Sequence, residues 1–194
     1  MPSSSLDIEA FQLFRAGRLE DALVCAEQAV ANAGMCLPVH GLLATILVRL
    51  GRVRDADAVI CRALELKAGT ADAYDGLAYV SAALGNHRRA SALYQRATQL
   101  APQTARFWYN LACSERSVGR LEDAEAACDR SIAAEAAQYP SYLLRSELRV
   151  QTSEFNHVEE LRLRLAAEGS EKMCIRDRTC VPPATGETDM ACLI

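Results

Sequence analysis

Apolar residues recur along the chain at spacings of three and four positions, the pattern that one face of an α-helix produces. The pattern itself returns every 34 residues, which divides the chain into the units 3–36, 37–70, 71–104 and 105–138. With each unit numbered from one, position four is usually large, position seven is leucine in three units, and position eight is always alanine. The first half of each unit is therefore predicted to be a helix with one buried face.

A second apolar stripe follows in the other half of each unit. Position twenty is always alanine, and position twenty-seven is always small: Ala29, Ala63, Ala97 and Ser131. Small residues on both stripes allow the two helices to pack closely. Because a strict period of this length is typical of stacked repeats, we predict an all-α fold, an α-solenoid of antiparallel helix pairs.

Turn and capping residues stand where this pattern needs them. Position fifteen, between the two stripes, is always glycine: Gly17, Gly51, Gly85 and Gly119. Glycine adopts the left-handed conformation that ends many helices without steric cost. Thr70 and Thr104 are predicted to cap the first helices of the third and fourth units, and Pro102 stands where the preceding second helix must have ended.

The pattern weakens in a fifth unit, 139–168. Tyr142 keeps the large residue at position four, but Arg145 replaces the leucine at position seven and Ser153 replaces the turn glycine. We interpret this segment as a degenerate fifth repeat or as capping helices.

The last segment, 169–194, has no periodic face. The stretch 172–178 resembles the translation of a transposon end used to tag DNA fragments in sequencing libraries. We expect 169–194 to be either such an artefact, with the natural reading frame lost near Glu171, or a disordered tail.

The repeated residues resemble the tetratricopeptide repeat family. The resemblance rests on these residues of the third and fourth units: Tyr74, Leu77, Ala78, Gly85, Ala90, Tyr94, Ala97, Pro102, Trp108, Leu111, Ala112, Gly119 and Ala124. The chain departs from the family pattern at Glu9, His40 and Ser131. The resemblance implies a superhelix that works as an interaction scaffold and binds a peptide or partner domain in its concave groove.

The family geometry implies that positions two, five, nine, twelve and thirteen of the first helices line that groove. The candidate groove residues are Arg49, Asp72, Asp75, Tyr79, Arg106, Tyr109, Asn110, Cys113 and Arg116, of which Asn110 is at position six, next to this set. The same positions also place Asp7, Phe11, Phe14, Arg15, Thr45, Val48 and Ala83 on this wall. Tyrosine and arginine are common anchors at interfaces, which favours a binding surface. The alternative interpretation is that these positions form an ordinary solvated helix face.

One class of ligand is disfavoured within that family. Members that clamp the carboxylate of a chaperone tail carry lysine at position five and asparagine at position nine. Here position five of the later units is Gly41, Asp75 or Tyr109, and no lysine set accompanies Asn110.

A second hypothesis makes the chain the front part of a larger enzyme. The stretch 142–149 and the residues that follow it resemble the junction in bacterial proteins that join such repeats to a sulfotransferase domain. That catalytic domain would lie beyond Glu171, so no catalytic residue is assigned here.

Composition and charge argue against several classes of partner and of chemical activity. A net charge of -4 and a pI near 5.5 argue against nucleic-acid and membrane partners. The sequence shows no signal peptide and no run of eighteen apolar residues, so we expect a cytoplasmic protein. The eight cysteines lack metal-site spacing, and no nucleophile or phosphate-loop motif is present. We therefore expect no enzyme activity from this chain, no cofactor and no metal, with a protein or peptide as partner and the oligomeric state open.

Overall fold

The computed structural model describes residues 5–33, 37–66, 69–149, 152 and 156–168. Its helices are α1 (Ser5–Arg15), α2 (Leu19–Ala33), α3 (Leu37–Arg49), α4 (Val53–Leu64), α5 (Ala71–Ala83), α6 (His87–Leu100), α7 (Ala105–Val118), α8 (Leu121–Ala134), α9 (Tyr139–Glu147) and α10 (Val158–Glu168). No strand occurs among the described residues, and the prediction of an all-α fold is confirmed. The expectations for Ser153 and for 169–194 concern residues outside this set.

The chain divides into two compact units, Met1–Ser153 and Glu154–Ile194. Helices α1 to α9 belong to the first unit, and α10 is the described helix of the second. The division falls inside the predicted fifth repeat, so the extent of that repeat, 139–168, stays a prediction, as do the limits of the other four.

The first unit is built from helical hairpins that stack in chain order. Helix α1 packs on α2, α3 on α4, α5 on α6, and α7 on α8. Each hairpin then contacts the next, through α2 and α3, α3 and α5, α6 and α7, and α8 and α9. These neighbour contacts are those of a helical-repeat solenoid, as predicted.

Alanine makes the close approach between helices possible. The alanines at position eight and those at position twenty are all fully buried: Ala10, Ala44, Ala78, Ala112, Ala22, Ala56, Ala90 and Ala124. Larger side chains such as Ile46, Ile60, Leu77 and Tyr94 fill the space around them. The core is therefore continuous from one hairpin to the next, and each hairpin covers apolar surface of its neighbour.

The turn glycines end the first helices as expected. All four have positive φ, between 74° at Gly51 and 87° at Gly119. After Gly119, the Arg120 amide donates to the Glu115 carbonyl at 3.0 Å, and the Gly119 amide donates to the Arg116 carbonyl at 3.0 Å. This is the hydrogen-bond pattern of a Schellman motif, and it turns the chain into the second helix.

Of the two predicted threonine caps, one is confirmed. The Thr70 hydroxyl accepts from the Ala73 amide at 3.3 Å. The prediction for Thr104 is wrong, because its side chain makes no capping bond. The Phe107 amide that it would serve already donates to the Thr104 carbonyl at 3.1 Å.

On helix α9, a buried arginine forms an ion pair with an exposed aspartate of α8. Arg145 takes the place of the usual leucine and is only 6% exposed. Its Nη1 donates to Asp129 Oδ1 of α8 at 2.6 Å, and its guanidinium lies 5.5 Å from the centre of the Tyr142 ring. The arginine thus fills the leucine site and keeps its charge paired, which a buried charge requires.

Candidate functional site

The first helices α1, α3, α5, α7 and α9 present the positions predicted to face a groove, and we call this surface the first-helix face. Of the nine candidate residues, Arg49 lies on α3, three lie on α5, and five lie on α7. Side-chain contacts sort them into three groups.

The first group joins α7 to α5 around a buried carboxylate. Asp75 is 7% exposed, and it accepts from Arg106 Nη1 at 2.6 Å and from Asn110 Nδ2 at 2.8 Å. Arg106 also donates to Asp72 Oδ1 at 3.0 Å, and its guanidinium lies 4.9 Å from the centre of the Phe107 ring. Two donors satisfy Asp75, so this carboxylate holds the two repeats together and is not open to a ligand.

The second group consists of Tyr109, Cys113 and Arg116, which follow one another at intervals of about one helical turn along α7. Burial raises the pKa of the Tyr109 hydroxyl and of the Cys113 thiol above their ordinary values. The thiol is therefore protonated at neutral pH and is a poor nucleophile. Arg116, on the next turn, donates from Nη1 to Glu147 Oε2 of α9 at 3.0 Å.

The third group lines a cavity between α1, α3 and α5. The cavity has a volume of about 310 Å³ and is lined by Phe14, Thr45, Val48, Arg49, Tyr79, Val80 and Ala83. Tyr79 is 63% exposed, and the guanidinium of Arg49 lies 5.8 Å from the centre of the Phe14 ring. This end of the face therefore offers an apolar recess with one cation at its rim.

The sequence placed the nine residues on one face but did not predict their pairing. Glu147 and Val80, which were not among the candidates, belong to the second and third groups. One signal for the first group was present, because Asp72 and Arg106 have opposite charges and both occupy position two of adjacent repeats. The bond of Asn110 to Asp75 depends on side-chain conformation and carried no such signal.

Other kinds of site are not evident in the described part of the chain. Those residues contain no cluster of three or more histidine, cysteine, aspartate or glutamate side chains arranged to hold a metal. His40 is buried, at a packing position of α3. Among the described helices, none combines the length and the apolar character needed to cross a bilayer.

Comparison with known families gives one match. The model of the tetratricopeptide repeat matches residues 42–103 and 76–140, which together span just over half of the chain. No curated protein sequence matches the chain.

Several solved structures share the fold at low sequence identity. MamA from Desulfovibrio magneticus RS-1 is 17% identical with a TM-score of 0.68, over 88% of this chain and 97% of that one. PilF from Pseudomonas aeruginosa is 17% identical with a TM-score of 0.66, over 86% and 72%. YrrB, described as a TPR protein with an unusual peptide-binding site, is 15% identical with a TM-score of 0.61, over 86% and 81%. None of these matches supports a link to sulfotransferases.

Proposed function

Since this chain belongs to the tetratricopeptide repeat family, we propose that it is an interaction scaffold whose first-helix face binds a segment of a partner protein. The observation that carries the proposal is the cavity between α1, α3 and α5, with the exposed ring of Tyr79 beside it. A recess of this kind on a helical repeat is suited to a side chain of a bound peptide.

Residue types on the face support the proposal. The face carries two tyrosines, Tyr79 and Tyr109, and two arginines, Arg49 and Arg116. Tyrosine offers a large contact area with few rotatable bonds, and arginine offers a planar cation. Both residue types dominate the binding energy of many interfaces. The peptide-binding site described for YrrB is a property of that protein, and its shared fold favours a peptide as the ligand class here.

The proposed role requires no reaction at the face. The thiol of Cys113 is kept protonated, and the buried carboxylate of Asp75 is engaged by Arg106 and Asn110. We therefore assign these residues to packing and recognition, and we assign them no catalytic step.

The test begins with a random-peptide display library selected on the immobilised full-length chain. Selected peptides are then synthesised and titrated by fluorescence anisotropy. We expect the double variant Tyr79→Ala/Tyr109→Ala to weaken binding by about tenfold or more, since each tyrosine removed from a hot spot costs well over 1 kcal/mol.

The matched control is Val24→Ala/Leu100→Ala. It removes two exposed apolar side chains from the second helices α2 and α6, and its affinity should stay within about twofold of the wild type, since residues outside an interface contribute little. Equal affinity of the tyrosine variant and the wild type for every selected peptide would remove the basis of the proposal.

A further inference from the structure

The arginines of the first-helix face differ in whether they are paired with carboxylates. In the half formed by α5, α7 and α9, each candidate arginine is paired across repeats: Arg106 with Asp72 and Asp75, and Arg116 with Glu147. These pairs leave little net charge for a ligand to meet.

The other half of the face, on α1 and α3, carries two arginines that are unpaired among the described residues, and its candidate carboxylate Asp7 lies in the first turn of α1, at the opposite end of that helix from Arg15. Arg15 and Arg49 both occupy position thirteen, in the last turns of two helices that contact each other, and both are exposed. Within the described ranges, no carboxylate lies at ion-pair distance from either guanidinium. An arginine in a last turn interacts favourably with the helix dipole, but that interaction leaves the guanidinium donors exposed to solvent.

The unpaired charge borders the apolar cavity. Arg49 is itself part of the cavity wall, together with the apolar side chains of Phe14, Val48, Val80 and Ala83. The guanidinium lies at a cation–π distance of 5.8 Å from the centre of the Phe14 ring, and its donors remain available for a bidentate bond to a carboxylate. A volume of about 310 Å³ is at the low end for a ligand site, which suits one large side chain better than a folded domain.

We propose that this cavity binds an acidic segment of a partner protein, with a leucine-like or aromatic side chain in the recess and a neighbouring aspartate or glutamate on Arg49. This inference rests on the proposed function and specifies its ligand. It departs from the clamp for a chain-terminal carboxylate, because the carboxylate it requires is a side chain and the anchor is apolar.

The experiment repeats the peptide-display selection on the full-length wild type and on Arg49→Gln. The matched control is Arg96→Gln, which removes an exposed arginine from the second helix α6. We expect the wild type and the control to select peptides in which aspartate or glutamate adjoins a large apolar residue. The Arg49→Gln chain should lose the acidic preference and keep the apolar one.

Affinities measured on one selected peptide and its glutamine analogue make the test quantitative. The acidic peptide should bind the wild type about tenfold more tightly than the analogue, as expected for a charge-assisted bond. This difference should vanish in Arg49→Gln and shrink as salt is added.

Three results would overturn the inference. Selected peptides that depend on Tyr79 and Tyr109 but carry no acidic preference would overturn it while leaving the proposed function intact. Selection of no peptide at all would overturn both. Concentration-dependent self-association that Arg49→Gln abolishes would show that a second copy of the chain is the occupant, and this would also overturn the inference.

Discussion

Ser131 shows how a single departure from the repeat pattern is accommodated. The family pattern has alanine at this position, and here the serine is fully buried. Its hydroxyl donates to the Ala105 carbonyl at 2.9 Å and accepts from Ser141 Oγ at 2.8 Å. The two serines therefore form a polar contact between α8 and α9 inside the core.

This contact predicts that the two serines are strongly coupled. Ser131→Ala should destabilise the protein by about 1 to 2 kcal/mol, because it leaves the buried hydroxyl of Ser141 without an acceptor. The double variant Ser131→Ala/Ser141→Ala should recover much of that loss, since no unsatisfied group remains. Urea unfolding of the two single variants and the double variant measures the coupling, and additive losses would contradict it.

Arg145 marks the limit of what the sequence could say about single residues. Its position in the repeat is that of a packing residue, whereas an arginine is usually exposed. Both features are reconciled by Asp129, which pairs with it from the neighbouring helix. The conflict could be recognised from the sequence, but its resolution depends on which carboxylate α8 turns toward α9.

At the scale of the helix, Gly85 and Gly76 allow the effect of backbone conformation to be tested separately from that of steric clash. A Cβ added at Gly85 or at Gly76 would meet no atom within 4 Å. Gly85 has φ of 78° at a helix end, whereas Gly76 lies inside α5. A steric clash therefore contributes at neither site, and the backbone conformation alone should decide the sign of a substitution.

We predict opposite outcomes for the same substitution at these two glycines. Gly85→Ala should destabilise the protein by about 1 to 2 kcal/mol, because alanine is strained in the left-handed region. Gly76→Ala should stabilise it by about 0.5 to 1 kcal/mol, because alanine is the better helix former. The free energies of unfolding from urea titration provide the comparison, and a shared sign would show that the turn does not impose the conformation.

The helices were the most predictable elements. Local periodicity and the turn glycines determine where each helix lies and which side is buried, and all of this information is contained within one repeat. The failed cap at Thr104 depends on one backbone hydrogen bond, which the residue types do not specify. The same residue type at Thr70 does cap its helix, so composition alone could not separate the two cases.

At the scale of the whole molecule, the repeat register identified a shared face. It did not predict which residues of that face join adjacent repeats and which border a cavity. Asp72, Asp75 and Arg106 join adjacent repeats, whereas Arg49 and Tyr79 border a cavity. This division arises between repeats, from side-chain conformations that no single repeat encodes. The sequence therefore predicted the scaffold well and its binding region only as a wide set of candidates.

We propose that ligands bind the first-helix face at the end formed by α1, α3 and α5. Backbone hydrogen exchange of the full-length chain, with and without a display-selected peptide, tests this claim most directly. We predict slower exchange on peptide binding in α1, α3 and α5, with smaller changes in α2 and α4. Protection confined to the second helices, with none in α1, α3 and α5, would contradict it.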